Sequence, residues 1–248
     1  MANQAEQSVT VVDRPDVSRQ NAHYVGNRAP LQPSALIKLP VGAVRPRGWL
    51  LETLRRQHAG LAGQLGEISV WLQKEGNAWL SKDGKGEWGW EELPYWLKGY
   101  ISTAYILQDE KAIAEAKAWV DGAIASQRPN GDFGPATRDY WGNMVMLYCL
   151  QTYYEATGDH RVLDLMTKYF RFQLSVPDAE FLNGYWQKVR GGDNLHSVMW
   201  LHNITGHEFL IELMHKVHRC TTDWTSPRHR FEDIRNAKSK RSGLEWPD

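Results

Sequence analysis

Two neighbouring carboxylates set among tryptophans are the first residues here with chemistry to offer. Glu91 and Glu92 stand between Trp90 and Trp96, just ahead of Pro94, which suits the first turn of a helix. A carboxylate held against apolar rings has its charged form disfavoured and can act as a general acid. Glutamate at a helix start also complements the helix dipole with no ligand involved. Both readings stand for Glu91 and Glu92, the first catalytic candidates. Asp132 is the third. It lies in Asn130-Gly-Asp-Phe-Gly134, where glycines let backbone approach a ligand, although Asn-Gly is equally an ordinary turn. The sugar-contact candidates are aromatic or amide-bearing: Trp90, Trp96, Phe133, Trp141 and Asn143. Arg190-Gly-Gly-Asp-Asn-Leu-His196 adds Asp193, Asn194 and His196, with Trp200 following. These are hydroxyl-reading groups, with Asp193 as a helix N-cap the plainer alternative.

Other chemistries find little support. His196, His202 and His207 miss the i, i+4 spacing of a helical zinc site, so no metal ligand set is read. No Gly-x-Ser-x-Gly elbow or phosphate-binding glycine loop is present. The two cysteines, Cys149 and Cys220, match no zinc-finger spacing and read as buried, reduced thiols. Lys plus Arg equals Asp plus Glu at 29 each, so no electrostatic drive toward nucleic acid or membrane is expected. No apolar run reaches the roughly 20 residues of a membrane span. The first residues lack an export signal, so the expectation is an intracellular protein or one whose leader has been removed. Twelve tryptophans and ten tyrosines in 248 residues supply rings for a core and for sugar platforms alike. Position must separate the two uses.

The elements that would position these residues are helices. Residues 1–34 read as an irregular arm rich in proline. After Pro46, the residues Trp49, Leu50, Leu54, His58, Leu61 and Leu65 recur at helical spacing on one face. A glycine-rich loop over 74–89 follows, then a helix near Pro94 and another from Lys111 to about Ser126. Further pairs run from about Tyr140 and from about Leu195. Their turns, at Gln108-Asp109, Thr157-Gly-Asp159 and Thr205-Gly-His207, recur about every 50 residues, which is the mark of repeated helical hairpins. Turns inside hairpins are short, whereas the links Ser126–Pro135 and Ser175–Asp193 are long. Long links gathered at one end build a cleft. The expectation is therefore an all-α (α/α)-type toroid over residues 35–224, in preference to a protein-binding α-solenoid, with a charged tail over 225–248.

Four stretches carry a family resemblance: Leu36-Ile-Lys-Leu-Pro-Val-Gly-Ala-Val-Arg-Pro-Arg-Gly-Trp-Leu50, Gly89-Trp-Glu-Glu-Leu-Pro-Tyr-Trp-Leu97, Gln127-Arg-Pro-Asn-Gly-Asp-Phe-Gly-Pro135 and Tyr153-Tyr-Glu-Ala-Thr-Gly-Asp159. They resemble the DUF1680 proteins, which include glycoside hydrolase family 127, the β-L-arabinofuranosidase-like enzymes. The resemblance implies an (α/α)6 barrel acting on or binding oligosaccharide or polysaccharide. It also implies a cysteine nucleophile in a zinc site of one Glu and three Cys late in the barrel. This chain carries no such cluster, so no cofactor is expected in it. A truncated barrel is expected instead, with self-association through the exposed flank of a half barrel. The alternative is a non-catalytic carbohydrate-binding or remnant domain.

Overall fold

A computed structural model describes residues 10–137 and 139–224; the charged stretch read over 225–248 lies outside the described residues. Residues 10–47 contain no helix, and from Tyr24 to Val41 they are tied to the helical body. Among the described residues nine α-helices follow: α1 (Gly48–Ala59), α2 (Leu61–Ile68), α3 (Glu92–Leu107), α4 (Glu110–Ala125), α5 (Trp141–Thr157), α6 (Arg161–Ser175), α7 (Tyr185–Val189), α8 (Gly191–Thr205) and α9 (Phe209–Cys220). Among the described residues there is no β-strand. The fold is all-α.

The hairpins are α3–α4, α5–α6 and α8–α9. Each of their first helices ends on a residue in the left-handed region: Gln108 at φ 55°, Gly158 at φ 70° and Gly206 at φ 73°. That conformation turns the chain sharply and is easiest for glycine. At the first turn Gln108 adopts it, and Asp109 starts α4 by accepting the Ala112 amide at 2.9 Å. The first helices form an inner row, α3 against α5 and α5 against α8. The second helices form an outer row, α4 against α6 and α6 against α9. This is the two-layered arc of an (α/α) toroid. Helix α5 sits at its middle and is buried nearly all round, from Asn143 to Glu155. The outer helices α6 and α9 bury one stripe each; in α6 it is Val162, Leu165, Met166, Tyr169 and Phe170.

The segment after Pro46 departs from expectation. It breaks into α1 and α2 at Gly60, because the chain doubles back so tightly that a Cβ on Gly63 would lie 1.7 Å from the His58 carbonyl oxygen. Neither helix buries a residue, and Trp49, Leu50, Leu61 and Ile68 are exposed. Of the face read from the spacing, Leu54, His58 and Leu65 are half-buried and Leu65 packs against the core. Conversely, the glycine-rich loop over 74–89 buries Trp79 completely, and the link between α6 and α8 contains α7.

Two buried polar anchors hold the parts together. Glu155 on α5 receives the Tyr24 hydroxyl, the Lys38 amine at 2.5 Å and the Val41 amide at 3.0 Å, so three arm residues converge on one carboxylate. Lys216 on α9 donates to the carbonyls of Gln173, Leu174 and Val176, which closes the C-terminal end of α6.

Candidate functional site

A cleft of about 480 Å³ opens where the N-terminal ends of α3, α5 and α8 meet, with α7 at its side. Each wall has a structural cause. Gly89 stands at φ 92° with the Asn77 side chain so close that a Cβ would lie 2.3 Å from Asn77 Oδ1, and this turn delivers Trp90. The buried Trp79 indole then fixes Trp90 by donating to its carbonyl at 2.8 Å. Glu91 and Glu92 follow as α3 begins.

Across the cleft, Asp139 accepts the Trp141 amide at 3.0 Å and the Gln187 side-chain amide at 3.3 Å, which joins the start of α5 to α7. The Trp141 indole donates to the Tyr95 hydroxyl at 3.0 Å, joining α5 to α3. Arg190, between α7 and α8, lies over Trp141 at 4.0 Å and over Trp186 at 4.7 Å. A guanidinium between two indoles is held by its faces, so its N–H edges stay available. Asn143 is buried beneath, donating to the Phe133 carbonyl at 2.8 Å.

One atom stands out. Among the described residues, Glu92 Oε2 is shut off from solvent and has no hydrogen-bond partner. A buried acceptor without a donor costs about 1–3 kcal/mol. Glu92 itself lines the cleft.

The structure thus brings Trp90, Glu91, Glu92, Trp141 and Asn143 to one cleft. It takes other candidates elsewhere. Asp132 pairs with Arg128 at 2.5 Å and accepts the Phe133 amide, so its oxygens close its own loop. Phe133 is fully buried, 4.8 Å from the Tyr169 ring and 5.9 Å from Trp79. Trp96 stacks on Tyr100 at 4.3 Å and donates to the Ala62 carbonyl in a separate groove against α2. Asn194 is buried in a reciprocal amide pair with Gln173, at 2.9 and 3.0 Å. Trp200 is buried and donates to the Tyr24 hydroxyl. Asp193 and His196 lie further along α8, beside Tyr148.

Sequence reasoning missed Trp186 and did not single out Arg190 as a cleft residue. Both fall in a link without hydrophobic periodicity. Their i, i+4 spacing was the available signal, since it puts them on one face of any helical turn.

Residues 8–238 match the family described as Beta-L-arabinofuranosidase, GH127 catalytic domain. The chain belongs to this family. The match takes in most of the irregular arm and continues past Trp224. No curated protein and no solved structure matches the chain. A GH127 domain is a glycoside hydrolase domain, and its substrate class is carbohydrate. Among the described residues, no helix is long and apolar enough to cross a membrane.

The zinc–cysteine site that the resemblance implies does not fit the residues described here. Among them no three His, Cys, Asp or Glu side chains gather closely enough to hold a metal ion. Cys149 is fully buried against the carbonyls of Pro94 and Val145, and burial pushes its thiol well above the usual range. Cys220 is only half-buried, against expectation; desolvation and then Asp178 raise its pKa too. Neither is poised as a thiolate.

Proposed function

We propose that the cleft binds the sugar of a β-L-arabinofuranoside-like carbohydrate and that Glu92 is its acid–base group. The unpartnered Glu92 Oε2 in a wall of indoles carries this reading. Furanose rings present C–H faces that pack on indoles and hydroxyls that need donors and acceptors. Trp90, Trp141 and Trp186 supply the first need. Glu91, Glu92, Asn143 and the Arg190 edges supply the second. When ionised, Glu92 accepts a sugar hydroxyl. When protonated, it donates to a leaving glycosidic oxygen.

Titration with methyl β-L-arabinofuranoside, followed by tryptophan fluorescence, tests the binding. Saturable quenching is expected, with an approximately tenfold loss of affinity in Glu92→Gln, or about 1.4 kcal/mol. Unchanged fluorescence with a folded sample would sink the reading. The nitrophenyl β-L-arabinofuranoside assay separates turnover from binding alone. A second reading, binding without turnover, is favoured by the two dispersed, buried or half-buried cysteines; saturation without nitrophenol release would establish it.

A further inference from the structure

Arg190 lines the cleft on a thin piece of backbone. Its guanidinium rests on the faces of Trp141 and Trp186, and such contacts fix direction less firmly than a bidentate carboxylate pair would. Where the guanidinium stands therefore follows where its main chain stands. That main chain is the junction between α7, a helix of five residues, and α8, which begins at Gly191. A helix so short does not hold itself, and its last carbonyls need partners from outside.

The partners come from the chain leaving α9. The Thr222 amide donates to the Lys188 carbonyl at 3.1 Å, and the Trp224 indole donates to the Val189 carbonyl at 3.0 Å, 35 residues back along the chain. On the other side of Arg190, a Cβ on Gly191 would lie 2.3 Å from Thr221 Cγ2, so the Gly191 backbone presses directly on Thr221. Thr221 is fixed in turn, its hydroxyl donating to the Val217 carbonyl of α9 at 2.7 Å. Residues 221–224 thus bracket Arg190 before and after.

This bracket is not core packing. Trp224 is 44% exposed, so its ring contributes little to the interior, while its N–H meets one particular carbonyl. The other face of α7 is tied to the start of α5 through Gln187 and Asp139. Trp186, which flanks the guanidinium, stands between these two attachments. A shift of the chain after α9 would therefore be passed to Trp186 and Arg190 together.

We infer that residues 221–224 form a strap in which Thr221 and Trp224, neither of them lining the cleft, are positioning residues for Arg190 and Trp186. The strap's effect on ligand rests on the cleft binding a sugar; its effect on the two indoles does not. The indole N–H resonances of the nitrogen-labelled full chain read the second directly, with Trp141→Phe and Trp186→Phe identifying the two signals. Trp224→Phe keeps a ring and removes the N–H. It should move the Trp141 and Trp186 resonances without any sugar present and weaken methyl β-L-arabinofuranoside binding about fivefold, with the urea midpoint little changed. Gly191→Ala should do the same by crowding Thr221, and adding Thr221→Gly should restore both readings, a rescue that mere loss of packing would not give. Should one variant unfold by circular dichroism, the other decides. Resonances of Trp141 and Trp186 unmoved in a folded variant overturn the strap. Moved resonances with unchanged sugar affinity overturn its role in binding. Moved resonances in a protein that binds no sugar leave the strap standing and sink the cleft reading.

Discussion

Two grooves in this molecule are built from the same kinds of residues and differ in what their polar atoms do. The groove between α2 and the α3–α4 hairpin holds Trp96, Tyr100, His58, Asp109 and Glu115; the cleft holds Trp90, Trp141, Trp186, Arg190 and Glu92. In the first, Asp109 caps α4 and meets His58 at 3.2 Å. Glu115 takes the Lys74 amine at 2.7 Å and the Trp119 indole at 2.9 Å. Trp96 spends its N–H on a backbone carbonyl and one face on Tyr100. In the cleft, among the described residues, a carboxylate oxygen is left over and a guanidinium is fixed by its faces. Composition makes either groove a plausible site. The hydrogen-bond ledger separates them, because a donor or acceptor already engaged by the fold has little to give a ligand.

The sharpest way to break this contrast is to truncate one indole in each groove. Trp141→Ala should cost at least about tenfold in sugar affinity, with a smaller change in stability. Trp96→Ala should do the reverse, losing about 2–3 kcal/mol by urea denaturation and leaving sugar affinity intact. If both variants lose stability and neither loses affinity, the distinction between the grooves fails. A smaller effect is expected at Asp132. Asp132→Asn removes its charged partnership with Arg128 and should cost about 1–2 kcal/mol in chemical denaturation, with sugar titration unchanged. A weaker sugar isotherm in that variant would return Asp132 to the site.

The smallest effect is at Asp109, whose pKa is held below the usual carboxylate value near 3.9 by the Ala112 amide and then by His58. A carboxylate with a depressed folded pKa adds stability above its unfolded value and loses it as pH falls through the folded one. Because the Asp109 side chain is more than a third exposed, screening keeps the contribution to no more than about 1 kcal/mol. Thermal melts of Asp109→Ala and the parent should differ at pH 7 and converge as pH falls through the lowered folded-state pKa. A constant gap across that range would exclude the carboxylate charge as the cause.

The sequence exposed the hairpins more clearly than the site. Gly158 and Gly206 are local signals, because the left-handed turn they make depends on one residue. The cleft rim at Trp90–Glu92 and Trp141–Asn143 was legible for a similar reason: it lies where loops end and helices begin. Burial was not local. Phe133 and Trp200 look like ring platforms in sequence, yet each is filled in by residues distant along the chain, Tyr169 for one and Tyr24 for the other. The amide pair of Asn194 with Gln173 is invisible until α6 and α8 meet. The exposed Trp49 and Leu50 show the same thing from the other side, since helical periodicity marks a face without naming what covers it.

The anchoring of the arm on Glu155 and Trp200 has a consequence for how the protein is made. Tyr24 is separated from those partners by 131 and 176 residues. At roughly 5–20 residues per second, a ribosome delivers Trp200 about 10–35 s after Tyr24. For the first 131 residues after Tyr24 the nascent arm lacks its carboxylate anchor, and it lacks Trp200 until α8 is made. Chaperones that grip extended, proline-broken segments have that window in which to act, and it closes only once α8 has emerged.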